Sequence, residues 1–259
     1  MLLASAAVFA QAPPPLDPPA RLEALVARIA LYPDPLLAQV LAAATFHEQI
    51  PDAARWADEH HDLAGQALAL QMQARRLPWD PGVQAMLPFP AVLDAMASDR
   101  EWTSRLGDAF LAHQAEVLDA VQRLRVTARD SGILRGNEQI AVSSGPYIAI
   151  LPVKPAHIAV PSYDSGAVFA AVPRSGAART GAVRWSDPVL VGGFQPYGWN
   201  LEKFAVIGGY FQAWGWGLAF IDWGARSVII NDSPWRRNWA NRNEYVHPYP
   251  ALQRVAPPQ

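Results

Sequence analysis

From Ala20 onward the apolar positions recur at helical intervals, with Leu22, Leu25, Val26 and Ile29 on one face. A series of short segments follows, separated by prolines. Asp34-Pro35 and Asp80-Pro81 each place a carboxylate at a helix N-cap and a proline at the first helical position, and Pro51-Asp52 resembles them. The expected helices run from Pro35 to Thr45, Pro51 to His60, Gly65 to Arg76 and Ala91 to Ser98, with a turn near Pro81 to Met86. The longest helix is expected next, because Trp102, Leu106, Phe110, His113, Val117, Val121 and Leu124 recur at three- and four-residue steps before Gly132 offers a C-cap.

Beyond residue 132 the period changes to two. Gln139 to Ser143, Tyr147 to Leu151 and His157 to Val160 alternate or carry β-branched residues, and Gly145-Pro146 and Lys154-Pro155 separate them. Residues 166–203 are rich in glycine, proline and serine and leave room for short strands only, such as Val189 to Val191. A further short apolar strand is expected at Val228 to Ile230.

Between Lys203 and Asp222 lies the uncharged stretch Phe204 to Ile221, which contains Gly208, Gly209, Trp214, Gly215, Trp216 and Gly217. Its length meets the minimum for crossing a bilayer, but its glycines and Gln212 weaken a lipid-facing helix. The favoured expectation is a buried segment packed on the helical part, with membrane insertion as the alternative. The tail from Asn231 holds several arginines and tryptophans among prolines, offers little to bury, and is expected to be mobile in isolation.

Composition narrows the picture. Hydrophobic residues make up 51% of the 259 and charged ones 17%, which fits a globular or membrane-associated chain better than a disordered one. A net charge of -2 supplies no global field toward nucleic acid or an anionic surface, so no nucleic-acid partner is expected. The absence of cysteine removes disulfides, thiolate metal sites, cysteine nucleophiles and lipid attachment to a cysteine. Met1 to Ala10 is apolar and Ala10-Gln11-Ala12 has the small-x-small form of a signal-peptidase site, although no basic n-region precedes it. Residues 1–12 are therefore expected to act as an export signal, and residues 13–19, rich in proline, as a stiff spacer.

The candidate chemistry is sparse. His47-Glu48 opens like a zinc-protease helix, but Pro51 stands where the second histidine is required. Asp58-Glu59-His60-His61-Asp62 are adjacent on a helix, point in different directions, and read as a solvated helix end. His113 with Glu116 falls on an apolar stripe and reads as a core or interface residue. Asp34 and Asp80 would suit a two-carboxylate hydrolase only at a defined separation, and both are assigned to helix capping. No serine has the Gly-x-Ser-x-Gly frame, and Gly215-Trp216-Gly217 lacks a dinucleotide loop's third glycine. No catalytic residue, metal ligand or cofactor is assigned. Arginine and tryptophan together can pair with phosphates and stack on flat faces, so Trp235, Arg236, Arg237, Trp239 and Arg242 are the candidate ligand-binding residues.

The run Ile29-Ala30-Leu31-Tyr32-Pro33-Asp34, continuing through Leu36-Leu37-Ala38-Gln39-Val40-Leu41 to Ala53-Ala54-Arg55-Trp56, resembles the opening signature of the bacterial domain-of-unknown-function 3300 family. Pro78-Trp79-Asp80-Pro81, Phe89-Pro90, Trp102, Leu106-Gly107-Asp108-Ala109-Phe110-Leu111 and Val121-Gln122-Arg123-Leu124-Arg125 extend the resemblance, which is specific over residues 20–165. Ser165 and the stretch His47 to Pro51 depart from the family's pattern, and the Gly/Trp segment and the tail resemble it in composition only. The resemblance implies an exported protein of Gram-negative bacteria, sometimes described as membrane-associated, and implies no reaction.

The expectation is an α+β protein. It comprises a helical domain over 20–132, a small β element over 139–165, a loop-rich region over 166–203, the hydrophobic segment 204–221, and a short strand with its tail over 222–259. The leading function is a non-enzymatic exported envelope role whose partner is an envelope component or another protein. The competitors are a membrane protein anchored by 204–221 and an envelope hydrolase whose site lies between the helical and β parts.

Overall fold

The structure, a computed structural model, describes residues 12–75, 77–154, 157–169, 182–191, 195–196, 199–200, 205–206, 209–210, 219–230 and 233–244. Residues 1–11 of the expected signal over 1–12, most of 204–218 and the tail beyond 244 lie outside the described residues. The architecture is α+β, as the change of period indicates.

The helical part consists of α1 (Pro19–Val26), α2 (Asp34–Ala44), α3 (Ile50–Glu59), α4 (Gly65–Arg75), α5 (Pro81–Gln84), α6 (Pro90–Ser98), α7 (Arg100–Ala112) and α8 (Gln114–Asp130), with a 3-10 turn at His47–Gln49 before α3. Proline occupies the first turn of α1, α2, α3, α5 and α6, where its missing N–H is not needed. Helix α2 is buried along its whole length and packs against α7, α5 and the C-terminal strands. Gly107 lets α7 approach it closely, since a Cβ there would collide with the Ala44 carbonyl. Gly132, at φ 70, ends α8 as expected.

Two expectations about this part are corrected. The single long helix from Trp102 to Leu124 is two helices, because the chain turns at His113 (φ -142, ψ 51), which closes α7 and opens α8. The apolar period survives the turn because both helices bury the same face on one core, so Leu106 and Phe110 lie on one and Val117 and Val121 on the other. The His113 ring pairs with the Pro14 carbonyl at 2.9 Å, which pins the proline-rich spacer against this corner. Asp34 is not an N-cap. Pro33 takes that position, and the Asp34 carboxylate turns into the core.

The strands are short and antiparallel. They are β1 (Ile140–Val142), β2 (Ile150–Pro152), β3 (His157–Ile158), β4 (Pro161–Tyr163), β5 (Val183–Trp185), β6 (Val189–Leu190), β7 (Gln195–Pro196), β8 (Trp199–Asn200), β9 (Ala205–Val206), β10 (Gly209–Tyr210), β11 (Phe220–Asp222), β12 (Ser227–Ile230) and β13 (Ser233–Pro234). Strands β11, β12 and β13 form a three-stranded sheet, and the others join as pairs β1-β2, β3-β6, β4-β5, β7-β10 and β8-β9. A short helix α9 (Ser165–Phe169) follows β4. Ala219, Ile221, Trp223, Val228, Ile230 and Trp235 enter the same hydrophobic cluster as α2, so the C-terminal sheet and the helices share one core. A smaller cluster of Leu31, Ala128, Leu134, Ile140, Ile148, Ile150 and Val168 lies under β1 and β2.

The tightest link between the two parts is polar. Arg125 on α8, fully buried, donates from Nη1 to Asp34 Oδ1 (2.5 Å) and to the Ile148 carbonyl (2.8 Å). It also donates from Nε to the Ala30 carbonyl and from Nη2 to that of Tyr32, both at 2.8 Å. Trp223 Nε1 donates to Asp34 Oδ2 at 2.8 Å, and the Arg125 guanidinium lies 4.9 Å from the centre of the Trp223 ring. Burial pushes the Asp34 carboxyl up from its ordinary range, opposed by Arg125 and by the donors Trp223 and Ile150. One carboxylate and one guanidinium thus tie α2, α8, β2 and the β11-β12 turn together.

Candidate functional site

The C-terminal tail does not trail away, which corrects the expectation of mobility for the part the structure describes. After β13, Trp235 N–H donates to the Val228 carbonyl at 2.7 Å, and its indole sinks into the core edge-on to Phe46, with ring centres 6.4 Å apart. The Arg237 guanidinium lies 3.6 Å from the centre of the Phe46 ring and donates to Thr45 Oγ1 (3.3 Å) and to the Arg242 carbonyl (2.9 Å). Trp239 N–H reaches the Leu111 carbonyl at 2.8 Å, and Arg242 stacks on the Trp239 ring at 3.9 Å. Asn238 and Asn241 close the turn on themselves, with Asn241 Oδ1 accepting from Asn238 N–H at 2.7 Å and Asn238 Oδ1 accepting from Ala240 N–H at 2.9 Å. A composition poor in apolar residues is held because the buried Trp235 indole, the Arg237 guanidinium on Phe46 and the Trp239 N–H on the Leu111 carbonyl anchor it to the helices.

The docked tail completes a cleft of about 500 Å³, lined by Phe46, Glu48, Gln49, Pro78, Trp79, Asp80, Pro81, Gln84 and Arg237. That volume lies within the usual range for small-ligand sites. Its far wall is the loop that leads into α5, and the sequence dictates how that loop is held. Asp80 Oδ1 caps α5 by accepting from Gly82 N–H at 2.7 Å, as the Asp-Pro pair predicts. Gln49 Oε1 accepts from Asp80 N–H at 2.7 Å, and Gln84 Nε2 donates to the Trp79 carbonyl at 2.7 Å and to that of Leu77 at 3.3 Å. The Trp79 ring meets Trp56 edge-on at 6.3 Å, and Trp56 is stacked on His60 at 4.0 Å. His60 Nδ1 lies 2.8 Å from the Trp56 carbonyl, so that nitrogen carries the proton.

Beside the cleft, His47 Nε2 stands 3.9 Å from Glu48. Burial pushes the Asp108 carboxyl on α7 up, against the nearby charges of His47 and Arg242. Among the described residues no group of three or more His, Asp or Glu side chains is placed to hold a metal ion. Asp34 and Asp80 have different surroundings: the first is enclosed by donors in the core, and the second lines the cleft.

Of the five residues singled out from composition, Arg237 alone lines the cleft. Trp235 supports it from within the core, Trp239 and Arg242 pack on each other beside it, and Arg236 is exposed. Sequence reasoning missed Phe46, Glu48, Gln49, Trp79 and Gln84. A signal was present in Pro78-Trp79-Asp80-Pro81, which puts a tryptophan in a proline-cornered loop where no helix face requires it.

The family of proteins of unknown function designated DUF3300 matches residues 18–249. The chain belongs to this family. A relative from Escherichia coli strain K12, an uncharacterized protein named YacH, is 36% identical over 154 residues, which is 60% of this chain and 24% of the relative. The chain thus spans about a quarter of the length of that curated relative. No solved structure matches it. Both walls of the cleft, the 46–84 portion and Arg237, fall inside the residues that the DUF3300 family matches.

Proposed function

We propose that this DUF3300 chain is an exported cell-envelope protein with a non-enzymatic binding role, exercised through the cleft that its returning tail completes. The observation that carries the proposal is the position of Arg237, which packs on Phe46 and shares one mixed polar and aromatic lining with Trp79. Asp80, Gln84 and Gln49 spend hydrogen bonds on holding that loop, which suits a preformed binding surface. Export is supported by the apolar run Met1 to Ala10 and by the small-x-small site at Ala10 to Ala12.

Anchoring through the uncharged stretch 204–221 is the competing arrangement. Among the described residues no helix is long and apolar enough to cross a membrane. Fractionation of cells expressing the full-length gene, with an alkaline carbonate wash and N-terminal sequencing, separates the two. Binding from the periplasm predicts a mature start near Pro13, release by carbonate, and retention of the purified protein on isolated envelopes. Unprocessed cytoplasmic protein overturns export, and carbonate-resistant pelleting assigns anchoring to 204–221.

A further inference from the structure

We infer that the ligand of the cleft is an uncharged oligosaccharide whose rings carry hydroxyl and acetamido groups, an assignment that rests on the binding role proposed above. Trp79 supplies the platform. Trp79 is half-buried, lines the cleft and meets Trp56 in an edge-to-face pair, and Trp56 is itself stacked on His60. An aromatic face immobilised before binding loses little freedom when a flat ligand stacks on it, and the C–H faces of pyranose rings are such ligands.

The polar groups around that platform select hydroxyl and amide partners. The Glu48 side chain is 59% exposed at the mouth, so its carboxylate is presented as an acceptor for ligand donors. Gln49, which also lines the cleft, accepts from Asp80 N–H through its carbonyl oxygen, and an amide NH2 group can only donate.

Arg237 is a wall of the cleft whose guanidinium is engaged with the protein's own groups. Its Nη atoms donate to Thr45 Oγ1 and the Arg242 carbonyl, and its flat face covers Phe46. The exposed Glu48 carboxylate lines the same cleft and disfavours phosphate or carboxylate groups. Aromatic face, acceptors and donors without a dedicated anion site together fit a neutral sugar.

The test is calorimetric titration of the full chain with N-acetylglucosamine hexasaccharide and, separately, with a proline-rich peptide, in the wild type and in Trp79→Ala, Trp79→Phe and Glu48→Gln. Saturable binding of the hexasaccharide is expected, weakened about tenfold by Trp79→Ala, partly kept by Trp79→Phe, and weakened by Glu48→Gln. Glu48 is at the surface, so its variant reports binding even where a tryptophan variant fails to fold. No saturable binding of the sugar, preferential binding of the peptide, or unchanged affinity in both Trp79→Ala and Glu48→Gln overturns the inference. Envelope retention without sugar binding removes the glycan assignment alone, whereas loss of both removes the binding role as well.

Discussion

Arg125 Nη1 stands 2.5 Å from Asp34 Oδ1 with both side chains closed to solvent, so an ion pair occupies the junction between the helices and the C-terminal sheet. Removing one partner leaves the other charge buried alone. Asp34→Asn and Arg125→Met are each expected to cost about 3–5 kcal/mol, read as a shift in the denaturant midpoint. The double variant is expected to lose clearly less than the sum of the two, because the second change no longer strands a charge. Additive losses would show that the pair contributes nothing as a pair.

Two buried phenols make stability fall at alkaline pH. Burial pushes Tyr32 up from 10.0 to about 12, and it pushes Tyr163 up as well, where the hydroxyl donates to the Ala27 carbonyl at 2.8 Å. The unfolded chain releases these protons near the ordinary value while the folded chain keeps them, so the folded state binds more protons above that pH. The Tyr32 contribution is fully present below about pH 10 and is lost as pH rises toward about 12, and that of Tyr163 is lost in the same direction at higher pH. Phenolate absorbance should show these two tyrosines titrating together with unfolding, and Tyr163→Phe should shift that alkaline transition. A transition that Tyr163→Phe leaves in place would contradict this assignment.

Trp235 is the anchor of the returning tail. Trp235→Ala is expected to destabilise by about 3–5 kcal/mol, the usual cost of emptying a buried aromatic site. It should also expose residues 236–244 to limited proteolysis before the helices are cut. Cleavage of tail and helices at one rate would show that the tail is not a separately released element.

Much of the fold was legible because helix starts carry their own chemistry. Proline at the first turn and Asp80 before Pro81 located α2, α3, α5 and α6 within a residue or two. The turn at His113 was hidden because the apolar period continues across it when both helices face one core. Asp34 shows the limit of local rules. The Asp-Pro pair is the same as at Asp80, but a partner 91 positions away, Arg125, draws the carboxylate inward. The cleft was half legible. Arginine and tryptophan composition pointed to the tail, but the residues that face Arg237 are brought there by tertiary packing that no local spacing encodes.

Cosedimentation of the purified mature protein with isolated envelopes, compared between the wild type and Glu48→Gln and Trp79→Ala variants of matched thermal stability, decides whether the cleft is where this protein acts. The cleft assignment predicts that the wild type pellets with the envelopes and that both variants lose most of that retention. Equal retention of all three proteins would contradict it.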